Sequence, residues 1–237
     1  MSDDDLDNDA IPAEIREKLA LALDVDDLVA ATRLVGAVGD YFGVVKIGLE
    51  LYAAGGPDVI GAFTSRGYDV FLDLKLHDIP TTVHKASRVL GALGVRMVTM
   101  HAHGGVDMLR AGVEGLAEGA SNAGLPAPDA IAVTVLTSDK DAPDHIVPKR
   151  VRTAVEGGCA GVVCAAADLQ DVYEYAPRIK RVVPGIRLPG TQTHDQAKAA
   201  TPSAAIEGGA DLLVIGRAIT AAKDPIVAAE ELVSNIL

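Results

Sequence analysis

Short apolar runs alternate with amphipathic helical segments along the chain, and this alternation restricts the possible folds more than any other feature. Eight runs are rich in Val, Ile, Leu and Ala. Most are apolar almost without interruption, which is typical of parallel strands that are covered on both faces. The predicted strands are Leu19–Asp24, Val44–Gly48, Asp69–Leu76, Met97–Ala102, Ala130–Thr137, Gly161–Ala166, Arg181–Ile186 and Leu212–Gly216.

Helical segments fill the gaps, and glycines follow several of them where helices commonly end. A strict β-then-α order gives a parallel sheet, and eight such units in 237 residues match a closed barrel. The sequence therefore predicts one (β/α)8 TIM barrel over residues 10–237, with an extra N-terminal helix at Ile11–Lys18. An open doubly wound sheet is the alternative. The other predicted helices lie near Asp26–Gly39, Leu51–Arg66, Thr82–Leu93, Val106–Ala123, Pro143–Glu156, Leu169–Ala176, Asp195–Glu207 and Pro225–Ile236.

The charge balance argues against nucleic acid as a partner. The chain has 33 Asp and Glu residues against 21 Lys and Arg residues, which gives a net charge of −12. Nucleic-acid binding needs a basic surface, although a few local cations can still hold one small phosphorylated substrate. Five of the first nine residues are Asp, so residues 1–9 are predicted to form a disordered acidic tail.

The sequence shows no sign of export or membrane insertion. No run approaches the roughly 18 apolar residues that suggest a membrane span, and the acidic N-terminus lacks the apolar stretch of a signal peptide. Cys159 and Cys164 fit neither a metal-binding spacing nor a disulfide framework. We therefore expect a cytoplasmic protein without a membrane partner, in which Cys164 is a buried, reduced thiol.

Charged residues gather where the active site of a β/α barrel is expected, at the C-terminal ends of the strands. Asp73 and Lys75 are two residues apart on the third strand, so they share one face, and Lys46 ends the neighbouring second strand. Such charges near the barrel axis are costly unless they pair. A purely structural Lys–Asp bridge is one interpretation. The recurrence of charge on adjacent strands favours a catalytic cluster.

Polar residues after the third and fourth strands allow more than one interpretation. Asp78 precedes Pro80, which opens the next helix, so it is either a helix cap or part of the site. His101 and His103 alternate on the fourth strand, but no carboxylate-rich set accompanies them. We therefore predict no metal site, an exposed His77, and a packed, hydrogen-bonded His101 at the barrel mouth.

Glycine and arginine recur after the last two strands, where many barrels of this kind bind phosphate. Arg187 ends the segment PGIR, and Gly216 and Arg217 lie in the segment IGR. Glycine lets the backbone approach an anion, and arginine adds a bidentate, charge-assisted contact. Turn glycines beside surface arginines are the alternative. Two such pairs in the two expected loops favour a phosphate site.

These residues together resemble the orotidine 5′-monophosphate decarboxylase family over nearly the whole chain. The most specific element is the D-x-K-x-x-D spacing of Asp73, Lys75 and Asp78. The supporting elements are Ile79, Pro80 and Thr82 after that motif, Asp24 in LALD, Lys46 in VVKIG, Thr137 in TVLT, PGIR at 184–187, Asp195–Gln196, and IGR at 215–217.

The resemblance implies a carboxy-lyase that converts orotidine 5′-monophosphate (OMP) to uridine 5′-monophosphate (UMP) and CO₂ in de novo pyrimidine biosynthesis. It implies direct decarboxylation, without cofactor or metal. Lys75 would protonate C6 of the pyrimidine, and Asp73 would lie beside the substrate carboxylate. Lys46 would organise the charges and contact the ribose.

The resemblance also implies the remaining substrate contacts and a homodimer. The catalytic Asp78, together with Ile79 and Thr82, would reach into the partner subunit's site. The other residues implied to bind substrate are Asp24 at a ribose hydroxyl, Thr137 at the base, and Arg187, Gln196, Gly216 and Arg217 at the phosphate.

Two other functions compete with this one. Hexulose-phosphate synthases and ketogulonate-phosphate decarboxylases resemble the family and also carry a D-x-K-x-x-D strand. They need Mg²⁺ and a carboxylate on the second strand, where this chain has Lys46, which would repel a cation. A barrel that only binds a nucleotide is the other alternative, but binding alone does not require two buried lysines against two carboxylates.

Overall fold

Eight parallel strands close into a barrel in the order of the sequence, and β8 pairs back onto β1. The computed structural model describes residues 11–136, 139, 143, 145–189 and 200–237. The closed barrel confirms the predicted fold and rules out the open sheet. The strands are β1 Leu19–Leu23, β2 Val44–Gly48, β3 Asp69–Leu76, β4 Met97–His101, β5 Asp129–Val133, β6 Gly161–Val163, β7 Lys180–Val183 and β8 Leu212–Ile215.

Helices follow the strands on the outside of the barrel, and the extra N-terminal helix is present in a shorter form than predicted. The predicted acidic tail at residues 1–9 lies outside the described residues. The helices are α1 Ala13–Arg16, α2 Leu28–Val38, α3 Leu49–Gly55, α4 Asp58–Thr64, α5 Pro80–Gly91, α6 Gly105–Ala123, α7 Ile146–Glu156, α8 Leu169–Tyr175, α9 Pro202–Glu207, α10 Arg217–Thr220 and α11 Pro225–Ser234.

The single helix predicted over Leu51–Arg66 was wrong, because the structure divides this segment into α3 and α4. Gly56 ends α3 with a φ of 60°, a left-handed conformation that favours glycine. Pro57 follows and has no backbone N–H to donate to a continuing helix. The two residues together therefore break the segment.

Side chains alternate between the inside of the barrel and the helices outside, as the pleat of a strand requires. Aliphatic neighbours on the outer face, such as Val70 and Leu72, pack against the helices. The inner cluster is apolar and occupies the barrel interior below the C-terminal mouth. Its members are Ala20, Ala22, Val44, Phe71, Met97, Ile131, Val182, Leu212 and Val214.

Helices α5 and α6 approach each other backbone to backbone. A Cβ added at Gly119 would lie 1.9 Å from the carbonyl oxygen of Arg88, and one added at Gly115 would lie 2.3 Å from that of His84. Only glycine fits such contacts without movement. Because α5 directly follows the segment that carries Asp78, this packing fixes where that segment leaves the barrel.

Both cysteines are buried and free. Burial raises the pKa of the Cys159 thiol and of the Cys164 thiol to about 12. The predicted buried thiol at Cys164 is therefore confirmed. Among the described residues, none of the helices has the length and apolar character needed to cross a membrane.

Candidate active site

A cavity of about 330 Å³ opens at the C-terminal mouth of the barrel. This volume suits a small molecule, since ligand pockets commonly measure about 300–1,000 Å³. Its polar walls come from β1 to β3 on one side and from the segments after β7 and β8 on the other. The polar lining residues are Asp24, Lys46, Asp73, Lys75, Arg187 and Arg217, and apolar side chains including Phe71 and Val214 form the floor.

Four charged side chains form an alternating array across β1, β2 and β3. Lys46 Nζ lies 2.8 Å from Asp24 Oδ1 and 3.7 Å from Asp73 Oδ2. Lys75 Nζ donates a hydrogen bond of 2.8 Å to the same Oδ2 of Asp73. Lys46 is only 7% exposed, so its charge depends on both neighbouring carboxylates for compensation.

The backbone at Lys75 departs from regular strand geometry. Lys75 has a φ of 52°, and it is the one non-glycine residue with positive φ in the part of the chain that the structure describes. The pairing of β3 with β4 shifts between Leu72 and Leu76, so the five residues from Leu72 to Leu76 lie opposite only three of β4, Val98 to Met100. A left-handed residue of this type costs about 1–3 kcal/mol, and such strain is commonly found at functional sites.

Thr99, which the sequence did not single out, holds this irregular segment in place. It is fully buried. Its hydroxyl donates to Asp73 Oδ1 at 2.9 Å and accepts from the backbone N–H of Lys75 at 2.8 Å. The sequence signal for Thr99 was a hydroxyl side chain at an inward-facing position of β4. It lies two residues from Met97 and two from His101, so the three share one face of the strand.

Two arginines lie on the opposite side of the cavity from Lys75. Arg187 is 8% exposed, and its Nη1 donates to the carbonyl oxygen of Ile186 at 2.8 Å. Its Nη2 is buried and has no hydrogen-bond partner among the described residues. Burial, and secondarily the charge of Arg217, lowers the pKa of Arg187. An anion bound at this side of the cavity would oppose this shift and raise the pKa of Arg187, because its negative charge stabilises the guanidinium.

Asp78, Ile79 and Thr82 are exposed at the rim and do not line this chain's own cavity. Asp78 Oδ1 accepts from the backbone N–H of Ile79 at 2.7 Å. The N-cap position of α5 is Ile79 rather than Asp78, and Pro80 is the first helical residue. The capping interpretation of Asp78 is therefore wrong.

Three histidines form a small cluster beside Lys75. The ring centroid of His77 lies 5.7 Å from that of His101 and 5.3 Å from that of His103. Burial, then the charges of His77 and Lys75, lowers the pKa of His101. Among the residues that the structure describes, no group of His, Cys, Asp and Glu side chains is arranged to hold a metal ion.

Two predicted substrate-binding residues, Thr137 and Gln196, lie outside the described residues, so the structure does not place them. The structure brings the other predicted residues to the mouth of the barrel. Asp24, Lys46, Asp73 and Lys75 line one side of the cavity. Arg187, Gly216 and Arg217 line the other, and Asp78, Ile79 and Thr82 lie at the rim.

Comparison with protein families identifies the group to which this barrel belongs. The model of the orotidine 5′-phosphate decarboxylase / HUMPS family matches residues 17–232. The chain belongs to this family. The resemblance inferred from the D-x-K-x-x-D motif is thereby confirmed.

Individual proteins of the orotidine 5′-phosphate decarboxylase / HUMPS family are similar over most of their length. An orotidine 5′-phosphate decarboxylase of Moorella thermoacetica is 41% identical over 233 residues, covering 93% of this chain and 92% of that protein. One of Lactiplantibacillus plantarum is 42% identical over 203 residues, covering 81% and 86%. The crystal structure of orotidine 5′-phosphate decarboxylase from Lactobacillus acidophilus superposes with a TM-score of 0.79 at 34% identity, covering 93% of this chain and 99% of that one.

Proposed function

We propose that this chain is an orotidine 5′-monophosphate decarboxylase, which converts OMP to UMP and CO₂ in de novo pyrimidine biosynthesis without a cofactor or metal. The proposal rests on the cavity at the mouth of the barrel, which has a lysine–carboxylate array on one side and two arginines on the other. The similarity to proteins named as orotidine 5′-phosphate decarboxylases supports the same activity.

The chemistry of the reaction explains why a fixed ammonium is needed. When the bond between C6 and the carboxyl group breaks, its electron pair stays on C6 in the plane of the ring, where little delocalisation is available. The ammonium of Lys75 stabilises this charge as it forms and then donates a proton to C6. Lys75 is left as a neutral amine, which regains its proton from solvent after UMP leaves.

Asp73 would lie beside the carboxylate that leaves as CO₂, and it would repel the ground state more than the transition state. Two like charges about 4 Å apart repel by about 4 kcal/mol at an effective dielectric constant near 20. Enzymes typically lower barriers by about 8–23 kcal/mol. Repulsion alone therefore cannot supply the whole effect, and we expect Lys75 together with remote phosphate binding to contribute more.

The order of strands around the barrel matches the order of groups along the substrate. The phosphate would lie at β7 and β8, held by Arg187, Gly216 and Arg217 together with Gln196. The ribose would lie at β1 and β2, against Asp24 and Lys46. The base would then reach β3, where Lys75 and Asp73 lie, and Thr137 would contact it.

The position of Lys46 argues against a Mg²⁺-dependent sugar-phosphate enzyme. Its ammonium lies between Asp24 and Asp73, 2.8 Å from one carboxylate and 3.7 Å from the other. A divalent cation held by these carboxylates would have to occupy the space of the Lys46 ammonium, and the positive charge of Lys46 would repel it. The donor set thus suits a permanent ammonium better than a metal ion.

A homodimer would explain the residues at the rim. Asp78, Ile79 and Thr82 are exposed, and Ile79 is 65% exposed. Leu49, just after β2 at the same end of the barrel, is 59% exposed. We propose that two mouths face each other, which covers these apolar side chains and brings Asp78 into the partner's site.

The chain's chemistry also supports a cytoplasmic location with no nucleic-acid or membrane partner. Two buried free thiols suit a reducing compartment, and a net charge of −12 disfavours binding to polyanions. Recovery of the protein from an exported or membrane fraction of its cell of origin would argue against this location.

The activity itself is tested by following the absorbance of OMP incubated with purified protein and excess EDTA. We expect conversion to UMP at the same rate with EDTA as with added Mg²⁺. Conversion that required Mg²⁺ would contradict the metal-free mechanism. No conversion of OMP under either condition would contradict the proposed function.

The phosphate site is tested with Arg217→Ala. A hydrogen bond to a charged group contributes about 1.5–3 kcal/mol, so we expect kcat/KM for OMP to fall by about 10- to 150-fold. Turnover of the free nucleoside orotidine should change little, because it lacks the phosphate. Arg178→Ala, an exposed arginine far from the mouth, is the matched control. An equal loss for both substrates would remove Arg217 from the phosphate site.

The shared site is tested by co-expressing Asp73→Asn chains with Asp78→Asn chains. Each variant alone should be nearly inactive. A hybrid dimer has one site with both carboxylates intact, so random pairing should restore about a quarter of wild-type activity. Co-expression of Asp73→Asn with Lys75→Ala, two residues of the same chain's site, should restore none. A mixture with Asp78→Asn that stayed inactive would contradict a site built from two subunits.

A further inference from the structure

The strained segment of β3 depends on one side chain of the neighbouring strand. Between Leu72 and Leu76 the regular ladder to β4 is interrupted, so the backbone N–H of Lys75 has lost its ordinary strand partner. The hydroxyl of Thr99 replaces that partner at 2.8 Å. A buried N–H without an acceptor is costly, so this bond favours the left-handed conformation at Lys75.

The same hydroxyl also fixes the carboxylate of Asp73. It donates to Oδ1 at 2.9 Å, while Oδ2 accepts from Lys75 Nζ at 2.8 Å. Asp73 is therefore held from both oxygens and cannot turn about its Cβ–Cγ bond without breaking a contact. Thr99 thus connects the backbone of Lys75 to the side chain of Asp73.

We propose that Thr99 is a positioning residue that sets the orientation of the Asp73–Lys75 pair for decarboxylation. This inference rests on the proposed function. Thr99 does not line the cavity, so it acts only through the two charged residues. Its loss should slow the chemical step and leave nucleotide affinity nearly unchanged, because the arginines on the other side of the cavity are not disturbed.

Three variants separate the hydroxyl from the rest of the side chain. Thr99→Val keeps the shape of the side chain but removes both hydrogen bonds, whereas Thr99→Ser keeps the hydroxyl. Thr134→Val is the matched control. Thr134 is also buried, and its hydroxyl donates to the carbonyl oxygen of Val163 at 2.8 Å, away from the charged array.

We expect Thr99→Val to lower kcat for OMP by about 10- to 100-fold with KM within about threefold of wild type. Thr99→Ser and Thr134→Val should keep kcat within about threefold. The proposal is overturned if Thr99→Val keeps wild-type kcat, if serine fails to restore it, or if Thr134→Val causes the same loss.

A second measurement does not depend on activity. Hydrogen exchange at the Lys75 amide, followed by NMR, should be at least about tenfold faster in Thr99→Val than in wild type or Thr99→Ser. Unchanged exchange would overturn the role of Thr99 even if the protein did not act on OMP. A wild-type protein without turnover, but with this change in exchange, would contradict the proposed function alone.

Discussion

The ammonium of Lys46 between the carboxylates of Asp24 and Asp73 is the interaction on which the mouth of the barrel depends. A buried charge is tolerated only where opposite charges and hydrogen bonds surround it. Lys46 meets this condition because β1 and β3 flank β2, and Asp24 and Asp73 lie two residues beyond the register partners of Lys46, so its long side chain reaches up between them. The two carboxylates together compensate the charge of Lys46. Asp73 Oδ2 also accepts a hydrogen bond from Lys75 Nζ, which holds Lys75 at the open side of the array.

Along the barrel axis, the apolar residues that stabilise the fold lie apart from the charged residues of the candidate site. Below the mouth, an apolar inner cluster and the packing against the helices fill the interior. At the mouth, the inward positions become charged, and the backbone of β3 leaves regular geometry at Lys75. The surrounding regular strands supply the stability that maintains this strained residue.

Much of this arrangement could be predicted from the sequence, because it follows from simple periodicities. The apolar runs predicted the strands, and the two-residue spacing predicted that Asp73 and Lys75 share a face. The left-handed backbone at Lys75 could not be predicted, since nothing in the run FLDLKL marks a bulge. Thr99 was missed for a related reason: its role arises from pairing between strands, which a single sequence does not show. The break at Gly56 does have a sequence signal, because a Gly-Pro pair commonly marks a turn, but the apolar pattern on both sides of it resembles one longer helix.

We propose that the ammonium of Lys75 carries out the chemical step and does little for binding or folding. The most direct measurement is the single-turnover rate of Lys75→Ala with OMP, made beside UMP affinity and thermal stability. We expect turnover to be lost while UMP still binds and the protein stays folded. Near-normal turnover by a folded Lys75→Ala protein would contradict it.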